Sequence, residues 1–296
     1  MEARVLITGA RGFIGHHIVK ELLNQNANIL TCDRTKADFN NEKVICKQVD
    51  ILNRENLFRC IADFQPTSVI HLAAIASPVY GNIAELYDIN VRGTENLLSG
   101  LKSGTRVVLT STAGVYGNSE KRLITEDTPY NPQNHYSLSK MVMEYIAKTY
   151  QDELDIKIIR PFNIIGHGQK ENFLVPKLIN AFTTKQPILS VGNIDTYRDF
   201  VDVDFASKVF CKVAITSDMP ENILNICTGL GTKGRDILNI LTELTGYSPN
   251  LQVNPTFLRK NEIMRLVGDP TKCNAFIGSD VKSKSVKEIL TDLLIK

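Results

Sequence analysis

The feature that most constrains the fold is a glycine-rich turn near the N-terminus. Residues 8–15 read Thr-Gly-Ala-Arg-Gly-Phe-Ile-Gly and follow a short β-branched apolar run at 4–7. Apolar residues at helical spacing come next, at positions 13, 14, 18, 22 and 23. A strand, a turn with three glycines and a helix in this order are typical of a dinucleotide-binding unit. A plain structural turn is the alternative, but it does not require three glycines in this context.

Each glycine of the turn has its own predicted role. Gly9 allows the tight turn, Gly12 lets the backbone approach a pyrophosphate, and Gly15 lets the helix pack close to the sheet. The helix N-terminus supplies free N–H groups and a positive dipole end. The spacing is one residue longer than G-x-G-x-x-G. We expect cofactor contacts from the turn residues Gly9, Arg11, Gly12, Phe13, Ile14 and Gly15.

A carboxylate follows the second predicted strand, which covers 27–32. Asp33 comes roughly 20 residues after the glycines, where an acidic residue would hold the ribose hydroxyls of NAD. Arg34 would suit a 2′-phosphate or stack on the adenine, so Asp33 favours NAD slightly without excluding NADP. Both charges would otherwise be ordinary surface residues after a strand. A third strand over 44–49 ends at Asp50, a candidate contact for the adenine amino group, and Ile51 follows.

Strand and helix patterns alternate through the first half of the chain. Helical patterns at Arg54–Phe64 and 83–101 separate strands at 69–74 and 106–111. This rhythm predicts an α/β fold with a parallel, doubly wound sheet, whose ligands bind beyond the carboxyl ends of the strands. Leu72, Ala73 and Ala74 would let a dinucleotide lie against the backbone, and we interpret His71 as a packed core histidine. The hydroxyls that follow 106–110 would point into the same crevice.

A tyrosine and a lysine four residues apart, Tyr136 and Lys140, share one face of a predicted helix. An ammonium held near a phenol favours the phenolate, so we expect the Tyr136 pKa to fall below its ordinary value of about 10. The phenol could then exchange a proton near neutral pH. Such pairs also occur by chance on solvated helices. Here the pair follows the strand that ends at Ser111 and Thr112, which supports the functional interpretation.

Composition excludes several classes of protein. The 296 residues are 43% hydrophobic and 22% charged, as in an ordinary globular protein. A net charge of +2 gives no electrostatic case for binding nucleic acid. No apolar run approaches the ~20 residues of a membrane span, and no signal-peptide pattern precedes the first strand. We therefore expect a cytoplasmic protein. The six scattered cysteines form no C-x-x-C pair and predict reduced core thiols rather than disulfides or a metal site.

Taken together, these motifs resemble the extended short-chain dehydrogenase/reductase family of nucleotide-sugar epimerases, dehydratases and ketoreductases. The matching stretches occur in family order at 8–15, 33, 71–74, 90–94, 111–117, 136–140, 160–163 and 198–203. The resemblance implies a Rossmann domain over 1–163 with part of 190–225. It also implies a smaller C-terminal α/β substrate-binding lobe over the remainder of 164–296. The family usually forms homodimers through the helix that bears Tyr136, so a homodimer is expected.

The resemblance also implies roles for the site residues. Tyr136 would be the acid/base, Lys140 would lower its pKa and hold the nicotinamide ribose, and Thr112 would hydrogen-bond the reacting sugar oxygen. Hydride would move between nicotinamide C4 and a sugar carbon. The remaining cofactor contacts implied by the family pattern are Asn90, Ser111 and Pro161.

A nucleoside-diphosphate sugar is the implied substrate. Besides Thr112 and Tyr136, its predicted contacts are Asn163 for the substrate backbone, Phe173, Val175, Lys177 and Leu189 for the base, and Arg198 and Arg265 for the diphosphate. An arginine suits the diphosphate because its planar fork binds phosphate oxygens bidentately. An ordinary surface ion pair is the alternative for either arginine.

The residues after Thr112 discriminate between reactions of the family. Dehydratases carry an acidic residue or pair there, whereas this chain has Ala113 and Gly114, which cannot transfer a proton. Stretches at 160–170, 191–200 and 254–265 look most like GDP-4-dehydro-6-deoxy-D-mannose reductases, which give GDP-rhamnose or its talose epimer. A UDP-glucose 4-epimerase-like enzyme that keeps its NAD bound is the alternative, which Asp33 fits slightly better. A non-catalytic NAD(P)-binding regulator ranks lower, because such proteins usually lose the tyrosine or the lysine.

Overall fold

Two compact units make up the chain. The computed structural model describes residues 3–216, 219, 221–257 and 261–295. The first unit comprises Met1–Val115, Asn134–Pro161 and Ser207–Leu224, and the second comprises Tyr116–Gln133, Phe162–Ala206 and Asn225–Lys296. The bounds of the two predicted domains stay a prediction, because a division by contacts does not show which segments fold on their own. Arg259, which lies in the family-like stretch 254–265, is outside the described residues.

Strands and helices follow one another closely along the chain. The strands are β1 (Arg4–Thr8), β2 (Asn28–Asp33), β3 (Val44–Gln48), β4 (Ser68–His71), β5 (Arg106–Thr110), β6 (Asp155–Pro161), β7 (Asn163–Ile165), β8 (Ile188–Val191), β9 (Tyr197–Asp202), β10 (Ile223–Ile226), β11 (Gly231–Lys233), β12 (Asn250–Val253) and β13 (Arg265–Leu266). The α-helices are α1 (Phe13–Asn24), α2 (Arg54–Phe64), α3 (Ile83–Tyr87), α4 (Gly93–Ser99), α5 (His135–Lys148), α6 (Leu174–Thr183), α7 (Val203–Ile215), α8 (Gly234–Thr245), α9 (Thr271–Ile277) and α10 (Val286–Leu294).

A seven-stranded sheet in the order β10-β6-β5-β4-β1-β2-β3 organises the first unit. β1 pairs in parallel with both β2 and β4, and parallel pairing continues from β2 to β3 and from β4 through β5 to β6. The predicted parallel, doubly wound sheet is confirmed. Because the strand order reverses between β1 and β4, the crevice for a ligand is expected at the carboxyl ends of these two strands.

Apolar side chains cover both faces of this sheet. One cluster contains strand residues such as Leu6 and Val107 together with Leu57, Leu97 and Met143 from α2, α4 and α5. The strand residues that alternate with them, among them Val5, Ile7 and Ile29, are fully buried as well. Burial on both faces explains why these strands are nearly continuous apolar runs in the sequence.

The helix predicted over 83–101 is not continuous. It consists of α3, a π-helical turn at Asp88–Arg92 and α4. A π-helical turn contains an extra residue relative to an α-helical turn, and such turns are frequent at functional sites. The sequence did not reveal it, because the apolar positions on both sides still follow helical spacing. The π-helical turn carries Asn90, whose side chain is fully buried.

The second unit has its own core and short strands. β9 pairs in parallel with β7 and β13 and antiparallel with β11, and β8 pairs in parallel with β12. Helices α6, α8 and α10 contribute Leu178, Phe182, Leu241 and Leu290 to one buried cluster. The spacing of apolar residues in the sequence predicts helices at 172–182, 237–244 and 286–294. The structure confirms all three, with bounds that shift by at most three residues.

All six cysteines are free. Cys32, Cys211, Cys227 and Cys273 are buried, which confirms reduced core thiols for these four, whereas Cys46 and Cys60 are partly exposed. In the part of the chain that the structure describes, no helix has both the length and the apolar character needed to span a membrane.

Candidate active site

The glycine turn brings the ends of β1 and β4 against the start of α1. Gly9 has a φ of 78°, in the left-handed region that glycine adopts at low cost. A Cβ atom on Gly9 would lie 2.7 Å from the backbone nitrogen of Ala73, and one on Gly15 would lie 2.6 Å from Cα of Ala10. Both positions therefore exclude any side chain, which is the geometry expected of a tight turn and a closely packed helix.

Gly12 differs from the other two glycines because space remains beside it. A Cβ atom there would meet only the Gly9 carbonyl oxygen, at 3.1 Å. Gly12 is also the N-cap of α1, and no side chain caps this helix within the described residues. An uncapped helix start with open space beside it suits a pyrophosphate. Arg11 is exposed, and Phe13 and Ile14 are half-buried around this opening.

Asp33 is buried at the end of β2, and only one of its two carboxylate oxygens accepts a hydrogen bond among the described residues. Its Oδ1 accepts a hydrogen bond from the Arg11 backbone N–H at 3.1 Å, whereas Oδ2 has no partner among the described residues. Burial raises the pKa of this carboxyl, and the Arg11 N–H opposes that shift. A buried carboxylate oxygen without a donor fits the ribose hydroxyls of NAD. Arg34 is exposed and lies 3.8 Å from Glu85, so it forms a weak surface pair.

Asp50 and Ile51 lie beyond the end of β3. Asp50 is exposed, and its Oδ1 accepts a hydrogen bond from the Leu52 backbone N–H at 2.8 Å. Ile51 is buried, and its carbonyl accepts a hydrogen bond from the Asn96 side chain at 3.0 Å. The Asp50 carboxylate therefore lies at the surface, and its bond to the Leu52 N–H holds the loop in shape. The contact of Asp50 with adenine stays a prediction.

Leu72, Ala73 and Ala74 follow the last residue of β4. The Leu72 N–H donates to the Thr8 carbonyl at 3.0 Å, and the Ala73 N–H donates to Thr8 Oγ1 at 3.3 Å. Ala73 is also the residue whose backbone excludes a side chain at Gly9. These small residues thus form a backbone surface beside the glycine turn, as a dinucleotide site requires.

Asn90 holds a loop in place through its side-chain amide. Its Oδ1 accepts a hydrogen bond from the Ile75 N–H at 2.8 Å, and its Nδ2 donates to the Ile75 carbonyl at 3.2 Å and to Ser139 Oγ at 3.0 Å. Both amide hydrogens are therefore engaged within the protein. The amide thus positions the loop after Ala74, and the cofactor contact expected of Asn90 stays a prediction.

Tyr136 and Thr112 bring two hydroxyl groups together. Tyr136 lies in the first turn of α5, whose N-cap Asn134 accepts a hydrogen bond from the Ser137 N–H at 2.9 Å. Thr112 follows β5, and its Oγ1 accepts a hydrogen bond from the Gly114 N–H at 3.1 Å. The Tyr136 and Thr112 side chains are hydrogen-bonded to each other. Such a pair can bind one substrate oxygen, and the phenol can transfer a proton to it.

The expected lowering of the Tyr136 pKa is wrong for this arrangement. Burial raises the pKa of the phenol to about 12, and the hydrogen bond with Thr112 offsets only part of this effect. Lys140 does not lower it, because its Nζ donates to the Thr110 carbonyl at 2.7 Å and lies 3.8 Å from Sδ of Met143. The helical spacing correctly places Tyr136 and Lys140 on one face. The hydrogen-bond partner of the Lys140 ammonium, however, is the carbonyl at the end of β5, which the spacing does not predict.

Burial also acts on Lys140 itself. It lowers the pKa of the ammonium to about 8, and the Glu144 carboxylate, one helical turn further along α5, opposes this shift. Lys140 is thus charged at neutral pH, and its charge is sensitive to pH just above neutrality. Its predicted contact with a nicotinamide ribose stays a prediction.

A buried ion pair joins α5 to β6. Arg160 donates from Nη2 to Glu144 Oε2 at 2.6 Å and from Nε to Oε1 at 3.0 Å, and their side chains are 2% and 0% exposed. The Ser111 hydroxyl donates to the same carboxylate. The Ser111 side chain thus makes a structural bond at the end of β5, and the cofactor contact expected of Ser111 stays a prediction. Pro161 is half-buried at the end of β6, and its cofactor contact stays a prediction.

Sequence reasoning did not select Glu144. Its signal was available, because Glu144 follows Lys140 by four residues and shares its helix face.

Gly114 packs against the first turn of α5. A Cβ atom on Gly114 would lie 2.5 Å from Ser137 Oγ and 3.4 Å from Thr112 Oγ1. Ala113 is buried. A larger residue at position 114 therefore requires the Ser137 hydroxyl to move. The packing of Ser137 against position 114 thus fits the glycine that this chain has where dehydratases carry an acidic residue.

In the second unit, two residues predicted to flank a base are core residues. Val175 and Leu189 are 2% and 1% exposed and belong to the cluster formed by α6, α8 and α10. Their side chains pack in this core, and the contact of either residue with a base stays a prediction. Their apolar character reflects the helical and strand patterns of the core, which the sequence cannot distinguish from a binding face.

Lys177 and two aromatic residues lie on the accessible side of the same region. Lys177 Nζ donates to the Ser190 carbonyl at 2.6 Å and lies 4.3 Å from the centroid of the Phe257 ring. Phe173, the N-cap of α6, and Phe257 are both exposed. Sequence analysis did not select Phe257, which is far from Lys177 along the chain. An exposed ring beside Lys177 is a candidate surface for stacking on a base.

Arg198 and Arg265 start from opposite faces of the small sheet. Arg265 pairs with Tyr197 in the β13–β9 register, whereas Arg198 pairs with Leu266. Residues directly opposite each other share a face, and consecutive residues alternate. Arg265 Nε donates to the Arg122 carbonyl at 3.1 Å, and Arg198 Nη1 donates to the Tyr197 carbonyl at 2.9 Å. The joint grip on one diphosphate stays a prediction and requires their long side chains to converge.

Asp199 has a structural role that the sequence did not reveal. Its buried carboxylate accepts hydrogen bonds from the Thr228 N–H and hydroxyl, the Gly229 N–H and the Gly268 N–H, at 2.7–3.3 Å. Burial raises the pKa of this carboxyl, and these donors oppose the shift. Asp199 thus fixes the turns beside β9. Asn163 is half-buried at the start of β7, and its substrate contact stays a prediction.

Comparison with known proteins gives matches along the whole chain. The model of the NAD dependent epimerase/dehydratase family matches residues 5–227. A GDP-6-deoxy-D-talose 4-dehydrogenase from Aggregatibacter actinomycetemcomitans is 33% identical over 297 residues, covering 98% of this chain and 96% of the relative. A GDP-6-deoxy-D-mannose reductase from Pseudomonas aeruginosa is 27% identical, covering 99% of this chain and 97% of the relative.

A solved structure is also similar. The NAD complex of the UDP-glucose 4-epimerase from Thermus thermophilus has a TM-score of 0.85 at 26% identity, and the match covers 98% of both chains.

Proposed function

The chain belongs to the NAD-dependent epimerase/dehydratase family, and we propose that it is a nucleotide-sugar 4-ketoreductase. It is an NAD-dependent enzyme of the short-chain dehydrogenase/reductase type, whose cofactor is NAD or NADP. In the proposed reaction, hydride from NAD(P)H reaches C4 of a GDP-linked 4-keto-6-deoxyhexose. The names of two relatives support this substrate class, since both act on a GDP-linked 6-deoxy sugar. The 4-dehydrogenase name describes the same hydride transfer at C4 in the oxidative direction.

One observation supports a reaction at C4 over a 4,6-dehydration. Thr112 and Tyr136 provide a hydrogen-bonded hydroxyl pair, and the two residues after Thr112 are Ala113 and Gly114. A 4,6-dehydration needs a second group that removes the C5 proton, and neither residue can do so. Reduction at C4 needs one proton donor only, which Tyr136 supplies.

The raised pKa of Tyr136 suits the reductive direction. At neutral pH the phenol keeps its proton, because its pKa is raised to about 12 by burial. As the C4 carbonyl gains a hydride, its oxygen becomes an alkoxide and takes the proton from Tyr136 Oη. The Thr112 hydroxyl hydrogen-bonds the same oxygen and holds it in place. When bound, the nicotinamide supplies the hydride.

The charge near the cofactor site supports NAD and leaves NADP open. Asp33 presents a buried carboxylate oxygen to a ribose, and a 2′-phosphate at that place would add a second negative charge. Arg34 is exposed next to it and offers a cation for such a phosphate.

The test supplies purified protein with GDP-4-dehydro-6-deoxy-D-mannose and either NADH or NADPH, and follows the absorbance of the reduced cofactor. We expect stoichiometric oxidation of the cofactor, and NMR of the sugar assigns rhamno or talo configuration at C4. Tyr136→Phe should lower kcat by about 10²–10⁴-fold. Tyr145→Phe is the matched control, since Tyr145 is an exposed tyrosine on the same helix. If no GDP- or dTDP-linked 4-keto sugar is reduced, the proposal fails.

A 4-epimerase is the second candidate. The similar NAD complex of a UDP-glucose 4-epimerase and the carboxylate at Asp33 favour it. An epimerase returns the hydride to the sugar and needs no net reductant. The epimerase hypothesis therefore predicts NAD that co-purifies and interconversion of UDP-glucose and UDP-galactose without added cofactor. A protein that consumes reduced cofactor in proportion to product excludes it.

A further inference from the structure

His71 is buried between the glycine turn and the helix after the π-helical turn. It is the last residue of β4 and is 1% exposed. Its Nδ1 lies 2.6 Å from Thr8 Oγ1, and its Nε2 lies 2.9 Å from Thr94 Oγ1. Thr8 directly precedes Gly9, and Thr94 lies on α4. The ring thus joins the residue before the cofactor turn to a second element, and the roles assigned to the active site do not use it.

The donors around the ring fix its tautomer. The Thr94 hydroxyl donates to the Asn90 carbonyl at 2.9 Å, so its oxygen must accept the Nε2 proton of His71. When the single ring proton is on Nε2, Nδ1 can only accept, so the Thr8 hydroxyl donates to Nδ1 while its oxygen accepts from the Ala73 N–H. Burial and the nearby Lys140 lower the pKa of His71 to about 3, so the imidazole carries one proton at neutral pH.

The hydrogen bonds continue from Asn90 to the catalytic helix. Asn90 Nδ2 donates to Ser139 Oγ at 3.0 Å, and the Ser139 hydroxyl donates to the Tyr136 carbonyl at 2.8 Å. Ser139, Asn90 and Thr94 are all buried. Thr8, His71, Thr94, Asn90 and Ser139, termed the His71 network below, therefore link the glycine turn to the backbone carbonyl of Tyr136. At Asn90 the link passes from the carbonyl that binds Thr94 to the side-chain amide that binds Ser139.

We propose that the His71 network is a positioning device that aligns Tyr136 with the cofactor turn. The proposal rests on the proposed function in one respect, because it takes Tyr136 as the group that transfers the proton. Each bond of the network has a single compatible direction, so the two ends cannot shift independently without leaving a buried donor or acceptor unpaired. A misplacement of about 1 Å between reacting groups lowers a rate by about a hundredfold. His71, Asn90 and Ser139 thus act through Tyr136 and do not touch the substrate.

The kinetic test removes one hydroxyl of the network without changing side-chain shape. Thr94→Val breaks the bond to His71 Nε2, and we expect kcat for 4-keto reduction to fall about ten- to hundredfold. Thr94→Ser restores the hydroxyl and should restore kcat. Thr31→Val is the matched control, because Thr31 is buried on neighbouring β2 and its hydroxyl has no partner among the described residues. Unfolding curves for all three variants separate stability from alignment.

Nuclear magnetic resonance of the protein labelled with ¹⁵N at histidine gives a readout that needs no sugar substrate. We expect His71 to be neutral and protonated at Nε2 at pH 7, and we expect NAD to shift both of its nitrogen signals in the wild type and in Thr31→Val. Thr94→Val removes the hydrogen bond to His71 Nε2, so the histidine signal that shifts in this variant is assigned to His71. In this variant we expect the Nε2 signal to lose its response to NAD. A ring protonated at Nδ1, or at both nitrogens, overturns the proposal. Equal kcat for Thr94→Val and Thr31→Val overturns it as well.

The two proposals can fail separately. If the wild type reduces none of the 4-keto sugars, the proposed function fails, while the histidine signals and their response to NAD still test the network.

Discussion

The two compact units hold their predicted contacts in different ways. In the first unit, the side chains of Thr8, His71, Thr94, Asn90 and Ser139 are buried and linked by hydrogen bonds. In the second unit, Lys177, Arg198 and Arg265 are partly exposed, and each donates to a backbone carbonyl of its own unit. The polar groups of the first set are therefore held by one another out of contact with solvent, whereas those of the second set can exchange their bonds with water or a ligand.

This difference sets the size of mutational effects. Removing a buried partner leaves a charge or a polar group unpaired, at a cost of several kcal/mol. Replacing an exposed donor changes the free energy by less, because the ligand gains only the surplus over the bond it displaces. We therefore expect large effects in the first unit and small ones in the second.

The buried pair of the first unit should give the largest effect. Glu144→Gln leaves the Arg160 guanidinium without a carboxylate and should lower the free energy of unfolding by about 3–5 kcal/mol in urea titrations. The matched change in the second unit is Asp195→Asn, which breaks the bidentate pair with Arg235, both of whose side chains are about half exposed. Its unfolding midpoint should stay unchanged. Similar losses in both variants would remove the contrast between the units.

The glycine turn allows a second comparison, within the first unit. Gly15→Ala places a Cβ atom 2.6 Å from Cα of Ala10 and should destabilise the fold by about 1–3 kcal/mol. Gly12→Ala meets only the Gly9 carbonyl oxygen at 3.1 Å, so it should fold normally but bind NAD at least about tenfold more weakly. Thermal unfolding and NAD titration of both variants are the measurements. Normal NAD affinity in Gly12→Ala would exclude the predicted approach of the pyrophosphate.

The rate should depend on pH through Lys140. Its pKa is lowered to about 8 by burial, so the ammonium is present below that pH and is lost as the pH rises through it. If the charge is needed, kcat/KM falls about tenfold per pH unit above pH 8, because the active fraction falls in that proportion. Lys140→Arg stays charged over this whole pH range, so the activity that remains in this variant should show no fall in kcat/KM above pH 8. A wild-type profile that stays flat to about pH 10 contradicts the prediction.

The second unit should give the smallest effect. Arg265→Gln removes one charged donor from the predicted diphosphate contact and should raise KM for the nucleotide sugar about tenfold, with kcat changed less than about twofold. Arg235→Gln is the control, because Arg235 is an exposed arginine of the same unit that is engaged with Asp195. An unchanged KM in Arg265→Gln would remove the arginine from the binding site.

The sequence predicted the elements well because they depend on local patterns. The strand before Gly9, helix Arg54–Phe64 and the strand that begins at Arg106 follow directly from apolar spacing and from the glycine turn. The π-helical turn at Asp88–Arg92 escaped prediction, since one additional residue barely changes the periodicity of the flanking helices.

The partners of buried polar groups could not be predicted in the same way. Asn90 meets Ser139, 49 positions later in the chain, and Lys140 reaches Thr110 rather than the phenol on its own helix face. Such bonds depend on which strands and helices become neighbours in the fold, and the local spacing of residues does not predict these neighbours. For the same reason the sequence did not reveal that Val175 packs in a core or that Asp199 fixes the turns beside β9. A homodimer and a cytoplasmic location stay predictions.

The contact between Gly114 and Ser137 also restricts how the chemistry of this site can evolve. A Cβ atom at position 114 meets the Ser137 hydroxyl oxygen at 2.5 Å, on the helix turn that holds Tyr136. An acidic residue at 114, where dehydratases carry acids after this threonine, therefore requires the Ser137 hydroxyl to turn away or residue 137 to be smaller, because the Ser137 Cβ itself lies 3.5 Å away. Replacing Ser137 with alanine removes the close contact and leaves Tyr136 in its place on the helix. Neutral variation at this serine therefore changes how easily a new reaction can arise by mutation.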